Sequence, residues 1–455
     1  MSSSSRRSGK KEALRVLHIA ETYPPDYGGG AAIVIQDLCR SLADLGHEVR
    51  VLCVDNADGE PYTARVDWDG AVRLDRINLP YFKTQDPDGW RLGLIGWRKH
   101  ERRIAKVIDW YLSAWKPDLV HYHTARPLGE EALLAIRRSK IPVVAMLHEA
   151  WAICPRLMLL SSPKSEPCTG PAPLKCLECI YSHYDGSHWR AGVKLPWRVL
   201  KLGIYPVYRL VRRTQARRSL DGAVAYSQFM ARVHKAHVAG EVRAVQLGLP
   251  PALVRRQARQ PGQPLRFGFV AGFQPVKGIW HVLDAAASLK QVGLVFELHI
   301  WGPNQDGSSD EIAERNLGDR VFLHGMYHSE DIWNIYAKID VALMATTVCE
   351  PFGRVPIEAA SVGVPTIAPA IGGITESIRD NIDGLLYTFR DPDHLKHQMR
   401  RVLEEPGLVE RLARELRRAP DIRNMAAEIE EFYLSMLGRS GRDVPAMKQF
   451  AKAAR

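Results

Sequence analysis

The strongest constraint on the fold is a strand-loop-helix-strand unit that occurs twice along the chain. Residues 14–20 (LRVLHIA) form a short apolar run, and a Pro/Gly loop follows at 22–30 (TYPPDYGGG). Residues 31–45 then place apolar side chains at helical spacing up to Gly46, and 48–54 (EVRVLCV) return to a strand pattern. Such a unit favours a parallel sheet with a right-handed crossover. Apolar runs at 119–121, 143–147 and 223–226 read as later strands of the same sheet. A polar, Pro-containing stretch follows at 248–264, and the alternation then restarts. Strands are expected at 266–270, 296–301, 321–323 and 341–344, with helices at 282–290 and 332–337. The expected fold is α/β, two tandem doubly wound domains facing a cleft between the carboxyl ends of two sheets. The expected division is a basic disordered tail at 1–13, a first domain at 14–250 with a Cys-rich insertion at 154–179, and a linker at 251–264. A second domain at 265–422, a helix at 423–438 packing back on the first domain and a basic tail at 439–455 complete it.

At 455 residues and 46% hydrophobic, the chain can bury two such cores. No run of 18 apolar residues exists, so a spanning helix is not expected. Residues 14–20 are too short for a secretory core, so a cytoplasmic address is the expectation. The net charge of +11 is local. Residues 186–220 alone carry nine Lys/Arg and no acid, and they interleave Trp189, Trp197, Tyr205 and Tyr208. That segment has two readings, a peripheral contact with an anionic membrane surface or a solvated helix face. Nucleic acid is not expected as a partner, because no base-reading module accompanies the charge.

The chemistry concentrates in the second half. Residues 349–363 (CEPFGRVPIEAASVG) follow the strand at 341–344, so Glu350 falls on the loop at that strand's carboxyl end. Pro356 suits a first helical turn, which puts Glu358 near the helix N-terminus. Two carboxylates and free backbone N–H groups then surround one point, offering acceptors for sugar hydroxyls beside donors for an anion. A second loop at 368–376 carries Gly372 and Gly373 ahead of a helix expected near Thr375, and glycine lets a backbone approach a phosphate. Lys277 lies just past the domain's first strand.

With these motifs in order, the chain resembles the retaining glycosyltransferases of family 4, which have the GT-B fold and glycogen-synthase-like nucleotide-sugar sites. The resemblance rests on Glu350-x7-Glu358, Lys277-Gly278, Gly372-Gly373, Pro24-Pro25-x-x-Gly28-Gly29 and Gly46-His47-Glu48-Val49, and it covers residues 14–437. It implies a nucleotide-sugar donor, with Lys277 on its diphosphate, Glu358 on the ribose hydroxyls and Glu350 on the transferred sugar. The backbone of Phe352, Gly353 and Arg354 would lie along the donor. Gly28, Gly29 and Gly30 would approach it from the other domain, and His148 would stand near the reacting sugar. The acceptor would be a hydroxyl of a glycan, a lipid-linked sugar or a small molecule. Where the family carries Gly-Arg after the second domain's first strand, this chain has Gly272-Phe273, so a phosphate clamp is missing there. Arg354 is the substitute cation to consider.

A fixed lysine and helix N-termini would stabilise the leaving diphosphate, so no catalytic cofactor or metal is expected. Cys154, Cys168, Cys176 and Cys179 leave two readings open, a closed structural zinc site and simple reduced thiols. A non-enzymatic zinc scaffold on acidic membranes is therefore the alternative function. A nicotinamide dehydrogenase fits poorly, because residues 28–33 read GGGAAI and lack the third glycine of the dinucleotide fingerprint.

Overall fold

The computed structural model describes residues 13–25, 29–55, 59–79, 93–124, 128–160, 166–184, 207–260, 262–303 and 307–438. Gly28, residues 186–206 and both tails lie outside them. The first half contains β1 (Arg15–Ile19), α1 (Gly29–Asp44), β2 (Glu48–Asp55), β3 (Ala64–Asp69), β4 (Val72–Asn78), α2 (Gly93–Trp115) and β5 (Leu119–Tyr122). It continues with α3 (Glu130–Ser139), β6 (Val143–Leu147), α4 (Pro173–Tyr184), α5 (207–217), β7 (Gly222–Ala225), α6 (Gln228–Lys235) and β8 (Glu241–Ala244). The sheet order is β3-β4-β2-β1-β5-β6-β7-β8, parallel except for the antiparallel β3/β4 pair.

The second half opens with β9 (Leu265–Val270), a 3-10 turn at Pro275–Lys277, α7 (Ile279–Gln291), β10 (Phe296–Trp301), α8 (Ser308–Glu314), β11 (Val321–Gly325) and α9 (Ile332–Ala337). Then come β12 (Val341–Leu343), α10 (Arg354–Val362), β13 (Thr366–Pro369), α11 (Ile374–Ser377), β14 (Gly384–Tyr387), α12 (Pro392–Glu404), α13 (Leu408–Arg414) and α14 (Ile422–Met436). Its sheet is parallel throughout, in the order β11-β10-β9-β12-β13-β14. No described helix is long and apolar enough to cross a membrane.

Helices cover both faces of each sheet, so the central strands are apolar without alternation, as in Val143–Leu147, where every residue is buried. In each sheet the strand order reverses beside the first strand, between β1 and β5 and between β9 and β12. Loops leaving the carboxyl ends there diverge and open a crevice. α14 closes the chain by packing on α1, and Met425, Ile429, Phe432 and Tyr433 are buried among residues of β1, β2 and β6.

Candidate active site

Two glycines let the loop after β9 pack closely on its neighbours, the loops after β10 and β12. Gly272 has φ +64°, and a Cβ there would stand 2.4 Å from the Pro303 carbonyl oxygen. Gly278 has φ +73°, and its Cβ would fall 1.9 Å from the Ala345 oxygen, so the turn before α7 sits directly on the exit of β12. That contact brings Lys277 Nζ to within 3.0 Å of Glu350 Oε1, which also accepts from Thr346 Oγ1 at 3.1 Å. The Lys277 side chain stays 37% exposed beside the half-buried carboxylate.

The 372–373 turn backs the same carboxylate loop. Gly373 N donates to the Glu350 carbonyl at 3.0 Å. A Cβ on Gly372 would lie 2.3 Å from the Glu350 oxygen, and one on Gly373 1.9 Å from the Pro351 oxygen. The helix expected there is a single turn, Ile374–Ser377, too short to add a helix dipole. Its Glu376 carboxylate instead accepts the backbone N–H of Gln228 and of Phe229, at 2.8 and 2.6 Å, at the start of α6 in the other half.

Glu358 lies in the first turns of α10 and is buried. Arg354 Nε donates to its Oε1 at 2.6 Å, and the Tyr336 hydroxyl to its Oε2 at 3.2 Å. Burial and the facing carboxylate raise the Tyr336 phenol well above its usual value, which keeps it a donor. Arg354 also donates to the Gly30 carbonyl at 2.9 Å, crossing from one half to the other. Burial opposes its charge, but Glu358 holds the guanidinium above its ordinary value. Arg354 is therefore committed to Glu358 and is not a free phosphate cation here. Phe273, at the position of the missing arginine, is a core residue packed edge-on to Trp280 at 6.5 Å.

Lys277, Glu350, Gly372 and Gly373 thus form one contact cluster, and Arg354, Glu358 and Gly30 form a second, joined by buried Phe352 and by Gly353 at φ +86°. Gly29 opens α1 with φ +68°. The Ser227 hydroxyl donates to the Pro351 carbonyl at 2.6 Å, a third link between the halves. His148 follows β6, and both its ring nitrogens are engaged, Nε2 with His123 Nδ1 at 2.9 Å and Nδ1 with the Tyr226 hydroxyl at 3.3 Å. Arg354 acts electrostatically on the Tyr226 phenol, which ties His148 to the crevice through one residue.

The four cysteines line one shallow cavity with Arg156, Leu159 and Leu160. Their sulfurs do not form a close ligand group. Among the described residues, the group of metal-capable side chains with donor atoms within 4.8 Å of one another is His18, His121 and His123. Cys179 Sγ is 3.8 Å from an Arg156 nitrogen, and Cys168 Sγ 3.5 Å from the Gly170 oxygen. The chain also carries Asp-x-Asp triplets at 67–69, 86–88 and 391–393. Asp67 pairs with Arg76 and Asp69 with Arg40, Asp391 caps α12, and Asp393 pairs with Lys396. The 86–88 triplet lies outside the described residues.

In the described part of the basic segment three arginines of α5 turn toward carboxylates, while Val207, Val211 and Arg218 stay exposed. Arg209 and Arg213 in α5 are buried against the Glu130 carboxylate, at 3.2 and 3.1 Å, and Arg212 pairs with Glu131. The Tyr208 hydroxyl donates to Glu101 at 2.6 Å. The partner carboxylates belong to α2 and α3 and lie far away in sequence. Trp189, Trp197 and Tyr205 lie outside the described residues.

Known proteins resemble the chain over both halves. The profile of "Glycosyltransferase Family 4" matches residues 28–253, and that of "Glycosyl transferases group 1" residues 253–419. A glycogen synthase of Mycobacterium tuberculosis is 23% identical over 422 residues, 89% of each chain. A GDP-mannose-dependent alpha-mannosyltransferase of the same species is 26% identical over 398 residues, 85% of this chain and 89% of that one. In fold, a sucrose-phosphate synthase from Thermosynechococcus elongatus superimposes with a TM-score of 0.67 at 17% identity, over 93% of this chain and 99% of that one. The two adjoining profile matches run without a break from residue 28 to residue 419 across both sheets and the crevice between them, and the chain belongs to glycosyltransferase family 4, a GT-B enzyme that transfers glycosyl groups.

Proposed function

We propose that the protein moves a sugar from a nucleoside-diphosphate sugar to an acceptor hydroxyl, with retention of anomeric configuration and without a catalytic metal. The acceptor is a glycan, a lipid-linked sugar or a small molecule. The observation that carries this reading is the Lys277–Glu350 pair, where the carboxyl ends of β9 and β12 meet beside the reversal of strand order. Relatives named for glycogen synthesis and for GDP-mannose support a nucleotide-sugar donor.

In this reading Lys277 and the N-terminal amides of α10 take up the negative charge that grows on the leaving diphosphate. Glu350, held by Thr346, fixes hydroxyls of the transferred sugar. Glu358 receives the ribose hydroxyls once Arg354 releases it. The acceptor hydroxyl attacks from the face that the diphosphate leaves, and contacts such as Ser227–Pro351 hold the crevice shut against water.

A donor screen that reads nucleoside diphosphate release, repeated with a chelator and followed by the anomeric configuration of the product, tests all three parts. Glu350→Gln should abolish transfer in a folded protein. Full activity in that variant would refute the assignment.

A further inference from the structure

β3 is the outermost strand of the first sheet, and among the described residues no strand covers its outer edge. It pairs antiparallel with β4, Arg65 opposite Arg76 and Asp67 opposite Leu74. One residue before that ladder, Asn78 N donates to the Thr63 carbonyl at 2.9 Å. Bonded and non-bonded pairs alternate along an antiparallel ladder, so Arg65, Asp67 and Asp69 turn their N–H and C=O groups toward β4. Those of Ala64, Val66 and Trp68 point along the free edge. The Trp68 N–H is accordingly held by the neighbouring Asp67 carboxylate at 2.9 Å.

Side chains alternate as well. Arg65, Asp67 and Asp69 share the face that meets α1, where Asp69 accepts from Gln36 at 3.1 Å and Arg40 at 2.6 Å. Ala64, Val66 and Trp68 share the opposite face, and Val66 stays 50% and Trp68 61% exposed. A row of outward N–H and C=O groups beside exposed Val and Trp is a template for another strand. The charged face decides which strand fits.

A second copy of β3 fits in one antiparallel register. With Val66 opposite Val66 across a two-fold axis, Arg65 stands opposite Asp67 of the second copy and Asp67 opposite its Arg65. Slipping the strands by two residues keeps the backbone groups in phase but sets Arg65 against Arg65 or Asp67 against Asp67. Like charges directly opposite are destabilising, whereas opposite charges are favourable. A slip by one residue puts the bonding groups out of phase. Both side chains stay partly exposed, and each keeps a partner in its own chain, Asp55 for Arg65 and Arg76 for Asp67. On the other face the small Ala64 stands opposite Trp68 of the second copy and leaves room for its ring. An arbitrary strand would not match both charges, which favours a second copy over an unrelated peptide.

We propose that β3 is a self-association surface, through which two copies of the chain join their first sheets edge to edge with Val66 opposite Val66. Each Trp68 then lies over Ala64 and Val66 of the second copy. β4 and β2 separate this edge from the crevice beside β1, so both copies keep their crevices open.

Sedimentation velocity of the full-length protein over a wide range of concentration should show twice the monomer mass. Trp68→Glu should return the monomer mass with unchanged thermal melting. In a hydrogen-bonded antiparallel pair opposite Cα atoms are about 5.5 Å apart, within disulfide reach. Val66→Cys should therefore give a covalent dimer with oxidised glutathione, while Ala64→Cys and the wild type should not. A monomer at every concentration would overturn the proposal. So would a dimer that survives Trp68→Glu, or one that links as readily through Ala64→Cys as through Val66→Cys. Flotation of the wild type with phosphatidylglycerol vesicles, lost in Trp68→Glu, would overturn it too, because the exposed tryptophan would then serve a lipid surface.

Discussion

Replacing Lys277 by methionine separates chemistry from folding. The amine lies 3.0 Å from Glu350 Oε1 but is 37% exposed, so solvent screens the pair and its loss should lower stability by only about 0–1 kcal/mol. Glu350 keeps its position through Thr346 at 3.1 Å, and the backbone around it through Gly373 N at 3.0 Å. Methionine retains the apolar stem of the side chain. On the proposed mechanism the same amine faces a diphosphate that is gaining charge inside a closed crevice. Removing one preorganised charge donor from such a site lowers the rate roughly a hundred- to a thousandfold, about 2.7–4 kcal/mol. The assay is nucleoside diphosphate release at saturating donor, alongside urea unfolding of the same preparations. Unchanged kcat with unchanged stability would refute the reasoning, as would an activity loss no larger than the unfolded fraction explains.

Three further outcomes follow from the packing. Burial raises the Asp37 carboxyl to about 6, against the opposing pull of Arg354, so the folded protein takes up its proton before the unfolded chain does. Asp37→Asn should therefore stabilise the protein at pH 8 by up to about 3 kcal/mol, and the gain should vanish as pH falls through 6 to below 4, which thermal melts across that range would show. Glu130→Gln leaves Arg209 and Arg213 buried without their carboxylate and should destabilise by about 3–5 kcal/mol in urea; a loss below about 1 kcal/mol would mean that α5 is solvated. Gly373→Ala, whose Cβ would fall 1.9 Å from the Pro351 oxygen, should displace the Glu350 loop and lower kcat more than stability.

The doubly wound halves were legible because buried parallel strands leave short apolar runs and the crossover helices leave a helical period. β3 was not, since residues 64–69 (ARVDWD) form a polar edge strand that pairs antiparallel with β4, with Arg76 and Asp67 in contact across the pair. The Glu350 and Glu358 loop could be placed from its position after β12. Its partner Tyr336 could not, because it comes from another element and has no local signature, whereas Gly30 was expected to approach from the other half. In the basic segment, the charge was visible in the sequence while its neutralisation was not. Glu130 lies about 80 residues from Arg209 and Arg213, and only the packing of α3 against α5 brings them together. The cluster of His18, His121 and His123 did leave a trace, because His121 and His123 at a spacing of two mark one face of a strand. Their alignment with His18 depended on the register between β1 and β5.

The most direct test is a crystal structure of the full chain with a nucleoside-diphosphate sugar that it turns over. The account expects the diphosphate between Lys277 and the start of α10, the ribose on Glu358 with Arg354 moved aside, and the sugar against Glu350. A donor bound elsewhere, with the Arg354–Glu358 and Lys277–Glu350 pairs intact, would contradict it.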